Sequence, residues 1–345
     1  MKKVFSLLLI LSLVFAFAAC TENKPDDVVK ALEFASNGDG TCSVSGIGTE
    51  KGSEKIEVPA KSPAGDTVVA IGDYAFDSAL AVREIVLPQS ITKIGKNAFR
   101  LCTALETVNI PDSVTEIGEY AFFGCSALRS AAFPSAITVI PHGVFTDCSS
   151  LESFEIHDGV TEIGGHAFAG CGKLNVTLPP SVRTLGEYAL CSSGITSLTV
   201  PSGVTEIPKG FAMGCASLET VTLPEGLKVI GESAFKQCVK MTNVQLPETL
   251  ETIEKHAFAY NDAMTEVVLP DSVLSIGVFS FYRCSAVTKV IFGTGLESYG
   301  VRAFGKNESL TQVYLRGTEK QYRSWKLNRV EEITNMERVY EYTGN

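Results

Sequence analysis

Apolar residues along this chain recur with a fixed spacing. In Leu105-Glu106-Thr107-Val108-Asn109-Ile110, Val108 and Ile110 fall on one side and Thr107 and Asn109 on the other. That alternation predicts a half-buried strand. Pro111 ends it, because proline has no amide to donate to a continuing ladder. A second extended piece, Val114 to Ile117, turns at Gly118; Ala121-Phe122 and a turn of small residues then lead to the next Leu128.

The whole block repeats. Ile110-Pro111-Asp112-Ser113-Val114 returns as Leu269-Pro270-Asp271-Ser272-Val273. The proline slot is occupied by Pro88, Pro111, Pro134, His157, Pro179, Pro201, Pro224, Pro247, Pro270 and Gly293, in steps of 23 residues with two of 22. The Ile-Gly-x-x-Ala-Phe block runs from Ile71 to Phe304 in eleven copies. One such unit has too little apolar surface to fold alone, so the units must stack and cover one another. The predicted fold class is an α/β repeat solenoid of about eleven turns. It has parallel strands on one face, little regular helix and a cap at each end, and at ~4.8 Å per stacked strand it is on the order of 50 Å long.

The spacing L-x-x-V-x-L-P-x-x-V-x-x-I-G-x-x-A-F-x-x-C resembles the BspA-like leucine-rich repeat of bacterial cell-surface proteins, over about Ile56 to Leu315. The resemblance implies the leucine-rich-repeat fold, a curved right-handed coil lined by parallel strands, and a role in adhesion to extracellular-matrix proteins or other cells. Three places depart from the pattern. Ala60 to Val69 is a longer connection, Leu185 to Leu190 lacks the Phe, and Ile207 to Ala212 has its aromatic shifted by one. The last two predict a local irregularity around residues 185–215.

The expected organisation is a signal peptide at 1–19, a lipidated Cys20 and linker to 33, a β cap at 34–55, repeats at 56–315 and a C-terminal cap at 316–345. Lys2 and Lys3 precede an apolar run that ends in Phe17-Ala18-Ala19-Cys20, which resembles a lipobox. The lipoprotein reading is preferred to plain secretion, with the acyl chains as membrane anchor. The chain is therefore expected to be exported and anchored in the envelope, at the cell surface and on the outer membrane. In the N-terminal cap, Asn37-Gly38-Asp39-Gly40 predicts a hairpin turn. In the C-terminal cap, Thr318 to Lys326 predicts a short helix carrying Trp325 as a buried anchor, and Val339 to Tyr342 a closing strand.

Composition adds exclusions. Acidic residues outnumber basic ones 39 to 29, for a net charge of −10; nucleic-acid binding wants the opposite sign. Seven of the ten cysteines share one repeat slot: Cys102, Cys125, Cys148, Cys171, Cys215, Cys238 and Cys284. Ser193, Asn261 and Asn307 fill the same place elsewhere. A metal site needs converging ligands, and parallel side chains in register hold Cβ atoms too far apart for disulfides. The slot is therefore read as a buried small-residue ladder whose Asn and Ser members bond loop carbonyls. His142, His157, His166 and His256 fall at different repeat positions or many turns apart, and no hydrolase or phosphate-binding motif appears. Glu251 with Glu254 is the kind of acidic pair a solvated face produces. No catalytic residue, cofactor or metal is expected.

Outward positions on the strand face form a carpet of Thr, Ser and Asn. Toward its C-terminal end the carpet gives way to Val268, Ile291 and Tyr314, flanked by Glu266, Lys289 and Gln312. That strip is either the centre of a protein-binding patch or a surface the C-terminal cap accounts for. The expected function is a non-enzymatic, monomeric recognition module for extracellular or cell-surface proteins. The alternatives are a carbohydrate-capturing or carbohydrate-processing lipoprotein and a structural role in the envelope.

Overall fold

A computed structural model describes residues 31–324 and 337–343, all within the larger of two compact units, Ala31–Asn345. The Cys20 anchor and Trp325 fall outside the described residues. The chain coils into a solenoid of about twelve turns with parallel strands in two rows. The front row holds mostly three-residue strands such as Glu84–Val86, Thr107–Asn109 and Glu266–Val268. The side row holds two-residue strands such as Lys93–Ile94 and Glu116–Ile117. The solenoid has as little regular helix as the sequence predicts: the described repeating turns contain no α-helix, and the six-residue helix Glu319–Ser324 belongs to the cap. At only 22–23 residues, a turn that already carries two strands needs just a third, non-helical side to close.

That third side, the back, is the most regular. In every turn the residues two before and two after the Phe slot have positive φ, as at Tyr120 (56°), Asp147 (60°) and Gln237 (63°). These two residues and the Phe between them donate their amides to the next turn. Thus Asn97 bonds the Glu119 carbonyl at 3.0 Å, Phe99 that of Ala121 at 2.8 Å, and Leu101 that of Phe123 at 2.7 Å. The pattern runs without a break from Tyr74 to Arg283. A Cβ on Gly118 would sit 2.5 Å from the Lys96 nitrogen of the preceding turn, which is why Gly follows Ile where the turns approach closest.

The buried phenylalanines stack beneath this ladder. Phe76, Phe99, Phe122, Phe145 and Phe168 form one run and Phe235, Phe258, Phe281 and Phe304 another, with adjacent centroids 4.9–5.9 Å apart and planes within 18°. Between the runs Leu190 and Ala212 take the Phe slot, while Phe211 has moved into the neighbouring Ala slot and is fully buried. The side row also breaks between Thr184–Leu185 and Glu206–Ile207. The irregularity expected around 185–215 is therefore one residue deleted from two turns, absorbed by a change of stacking partner.

The cysteine slot lies against the same stack. Each thiol is buried and donates to the carbonyl of the Phe-slot residue one turn back: Cys102 to Phe76 at 3.1 Å, Cys125 to Phe99 at 3.2 Å, Cys148 to Phe122 and Cys171 to Phe145 at 3.1 Å. Cys215, Cys238 and Cys284 do likewise to Leu190, Ala212 and Phe258. Asn307 makes the same bond through Nδ2 at 3.1 Å. Asn261 does not: its Oδ1 accepts the Cys238 amide, while its Nδ2 is buried without a partner. Ser193 turns its hydroxyl to the Cys215 sulfur instead of a carbonyl. The described cysteines are all free.

Each end of the described solenoid carries a closing strand. Glu33–Ser36 and Thr41–Gly46 pair antiparallel across Asn37–Gly40, and Thr41–Gly46 starts the side row. At the far end Glu337–Tyr340 pairs parallel to Gln312–Leu315. Tyr322 of the helix is buried and bonds the Phe292 and Gly293 carbonyls.

Two outcomes follow from the back. Burial pushes the Cys102 and Cys284 thiols up to about 12 and Cys215 up to about 11, and raises Cys148, Cys171 and Cys238 as well. In the unfolded chain the same thiols ionise near 9.0, so stability is intact below that pH and falls as pH rises from it. Each thiol contributes up to about 1.4 kcal/mol per pH unit. Denaturant titrations at pH 8 to 11 should show this fall, with a shallower slope for Cys102→Ala/Cys284→Ala. At the left-handed positions, Gln237→Val should cost about 1–2 kcal/mol in the same assay. Gln237→Gly should be neutral or stabilising.

Candidate functional site

The structure brings the strip expected from sequence into one sheet. Glu266, Lys289 and Gln312 lie in register on adjacent front strands, as do Val268, Ile291 and Tyr314. It is not, however, a continuous exposed apolar patch. Ile291 is fully buried, and Val268 and Tyr314 are only half-exposed. The closing residues pack here: the Tyr342 ring lies 4.7 Å from that of Tyr314. Lys289 is also committed. Its ammonium bonds Glu266 at 2.8 Å and sits 5.5 and 5.6 Å from the Tyr314 and Tyr342 rings, and the Glu266 carboxylate holds its pKa above the ordinary lysine value. Tyr314 donates its hydroxyl to Gln312 at 2.6 Å. The cap accounts for most of the strip.

The more open surface lies just before it and is made by asparagine. The front row breaks three times: after Thr107–Asn109, between Ser153–Glu155 and Ser197–Thr199, and between Thr220–Thr222 and Glu266–Val268. Asn109, Asn175 and Asn243 stand at these breaks, and no other outward front position holds Asn. In an intact turn the amides opening a strand share a backbone carbonyl one repeat earlier, as those of Glu106 and Thr107 share Arg83. At residue 243 the side chain intervenes. Asn243 Oδ1 accepts the Thr265 amide at 2.9 Å and the Glu266 amide at 3.0 Å. Asn175 does the same for Thr196 at 3.3 Å, and the Asn109 amide group pairs with both N–H and C=O of Leu87. A short amide side chain thus competes with the ladder and displaces it.

At Asn175 the floor stays sealed, with Val176 and Leu198 buried. At Asn243 it opens. Val221, Leu223 and Val244 are only partly buried. Val244, Gln245 and Leu246 make no backbone hydrogen bond to either neighbouring turn among the described residues. A cavity of about 480 Å³ lies between this turn and the next, and one of about 450 Å³ between it and the preceding turn; Asn243 and Gln245 line both. Several charges elsewhere pair turn to turn, as in Arg83–Glu106, Lys93–Glu116, Lys96–Glu119 and Arg100–Asp77. Glu225 and Glu248, on the rim of this groove, have no ion pair among the described residues, and Arg316 approaches Asp271 only to 3.9 Å.

The remaining candidates are in structural use. Glu251 pairs with Lys228, and Glu254 accepts the Glu232 amide at 2.8 Å. His157 accepts the Gly159 amide, and His256 stacks on Phe279. Two histidines at different repeat positions nevertheless meet: His142 and His166 stand on adjacent turns with rings 5.5 Å apart, flanked by Tyr120 and Tyr188. Their sequence offset is 24 residues, one more than the repeat, and the turn absorbs it. Burial, then the His142 charge, lowers the His166 pKa. No group of three or more His, Cys, Asp or Glu suited to a metal occurs among the described residues.

No curated protein matches the chain. Among solved structures, a leucine-rich repeat protein from Bacteroides ovatus is 25% identical with a TM-score of 0.55, covering 91% of this chain and 99% of its own. A leucine rich cell surface protein from Faecalibacterium prausnitzii is 21% identical with a TM-score of 0.52, covering 91% and 97%. The pneumococcal vaccine antigen PcpA is 19% identical with a TM-score of 0.61, covering 90% and 97%. These last two share the fold. The family model described as BspA type Leucine rich repeat region (6 copies) matches residues 69–193, 138–263 and 252–339, and with the repeat geometry above it places this chain in the BspA-type leucine-rich-repeat family.

Proposed function

We propose that this chain is a non-enzymatic recognition protein that binds extracellular or cell-surface proteins through the front of its solenoid. It is exported, carries a lipid on Cys20 and is displayed on the outer membrane as a monomer. The observation that carries the reading is the groove at Asn243, where a partly buried apolar floor, unpaired backbone and two carboxylates without an ion pair among the described residues line two cavities. A rigid stacked wall suits such work, since little has to be ordered when a partner docks. Family membership supports display at the cell surface. No described helix is long and apolar enough to cross a membrane; the anchor in this reading is the acyl chains on Cys20. Capture of sugars is disfavoured by the lining of the two cavities, which includes no aromatic ring for a sugar to stack on.

The test is binding of the purified full chain to a panel of matrix and cell-surface proteins beside a glycan array. Thr222→Trp/Gln245→Trp, at exposed front positions, should weaken saturable protein binding by roughly tenfold or more, about 1.4 kcal/mol. The melting temperature should stay within about 2 °C. Thr115→Trp on the side face should leave binding intact. Binding to glycans alone, or equal loss from the side-face variant, would defeat the reading. Separately, Cys20→Ser should move the chain from the membrane fraction to the soluble one.

A further inference from the structure

A sheet that opens in its middle leaves polar backbone groups that want partners, because buried or half-buried amides and carbonyls are almost always satisfied. Val244, Gln245 and Leu246 line the cavity of about 480 Å³ after the turn, and Gln245 also lines that of about 450 Å³ before it. What the cavities offer is donors and acceptors in the alternation of a strand, over a floor of Val221, Leu223, Val244 and Val268. That combination matches a polypeptide main chain with small apolar side chains, the chemistry by which an extended segment adds to a sheet.

The rim decides the charge of the visitor. Glu225 and Glu248 stand one turn apart in the column after the proline slot, both exposed, with Asp271 next in the same column. Like charges in one column repel, and Arg316 answers only Asp271, at 3.9 Å. Glu266 is already paired with Lys289. Two carboxylates therefore remain to be neutralised at the groove.

We infer that the Asn243 seam binds an extended segment of a partner protein that carries lysine or arginine. Its main chain pairs with the free backbone groups of Val244, Gln245 and Leu246, and its cations face Glu225 and Glu248. The inference rests on the reading of this chain as a protein-recognition surface and names the partner chemistry for it. Asn243 is a positioning residue: it holds the seam open by occupying the Thr265 and Glu266 amides.

The experiment measures anisotropy of three labelled hexapeptides on the purified full chain. One alternates Val and Lys, one alternates Val and Glu, and the third is the Val/Lys peptide N-methylated at alternate amides. The Val/Lys peptide should bind, the Val/Glu peptide should not, and N-methylation should weaken binding by roughly tenfold through lost main-chain bonds. Asn243→Thr places the residue type found at Thr107 and Thr220, both in paired strands. It should slow hydrogen exchange at Val244–Leu246 and abolish peptide binding. Glu225→Lys/Glu248→Lys leaves the seam alone and should reverse the preference toward Val/Glu.

The inference is overturned if the N-methylated peptide binds as well as its parent, if the charge reversal leaves the preference unchanged, or if no peptide binds. It is likewise overturned if Asn243→Thr slows exchange and binding survives. Should matrix proteins bind the full chain and ignore both variants, recognition by the front stands and this occupant does not. Loss of all protein binding by the full chain removes the broader reading, whatever the peptides do.

Discussion

The amide ladder along the back holds the solenoid together. The front row breaks three times and the side row twice, yet the three hydrogen bonds that each turn donates around its Phe slot continue from one end of the repeats to the other. That continuity requires a left-handed residue on each side of the Phe in every turn, and most of these are not glycine. Such residues cost about 1–2 kcal/mol each, so the conformation persists only because stacking compels it. The Phe carbonyl then takes the Cys amide of its own turn and the thiol of the next. Hydrogen bonds, ring stack and thiols are one structure, and its period is the period of the sequence.

This explains what was legible in the sequence and what was not. Proline, Ile-Gly and Ala-Phe mark places where the turn must stop a strand, approach its neighbour or fill the core, so their spacing shows the fold directly. The cysteine slot holds Ala79, Ser193, Asn261 and Asn307 in other turns, which argues in the sequence itself against chemistry that needs a thiol. Left-handed positions filled by Tyr120, His166, Gln237 and Arg302 carry no local signal, because stacking overrides their preference. Ile291 shows the other limit. Strand alternation puts it outward, yet it is fully buried beside Tyr314, on whose ring the closing Tyr342 packs. The Asn243 groove did have a signal, three asparagines among outward Ser and Thr, but it becomes readable only once amide side chains are weighed as competitors of the ladder rather than as generic polar groups.

The division of labour among the faces follows from the same ladder. With the back continuous, a break in the front need not unravel the coil, and the backbone there is released from structural duty. Some charges on the other faces are held in turn-to-turn pairs, such as Lys93–Glu116 and Lys96–Glu119, which at these exposures add little stability. The histidine pair at His142 and His166 is likewise taken up in a stack with Tyr120 and Tyr188.

Opening the front is nevertheless not enough to make a site. Asn175 displaces the ladder as Asn243 does, but Val176 and Leu198 beneath it remain buried and the surface stays closed. Around Asn243 a ladder lost on both sides of the turn, a half-exposed floor and two carboxylates without an ion pair among the described residues coincide, with a cavity on each side. Threonine at residue 243 would match Thr220 of the preceding turn, which lies in a paired strand. A chain that keeps asparagine there forgoes those hydrogen bonds in its unbound state. The compensation physical chemistry offers for such a loss is a partner that supplies them.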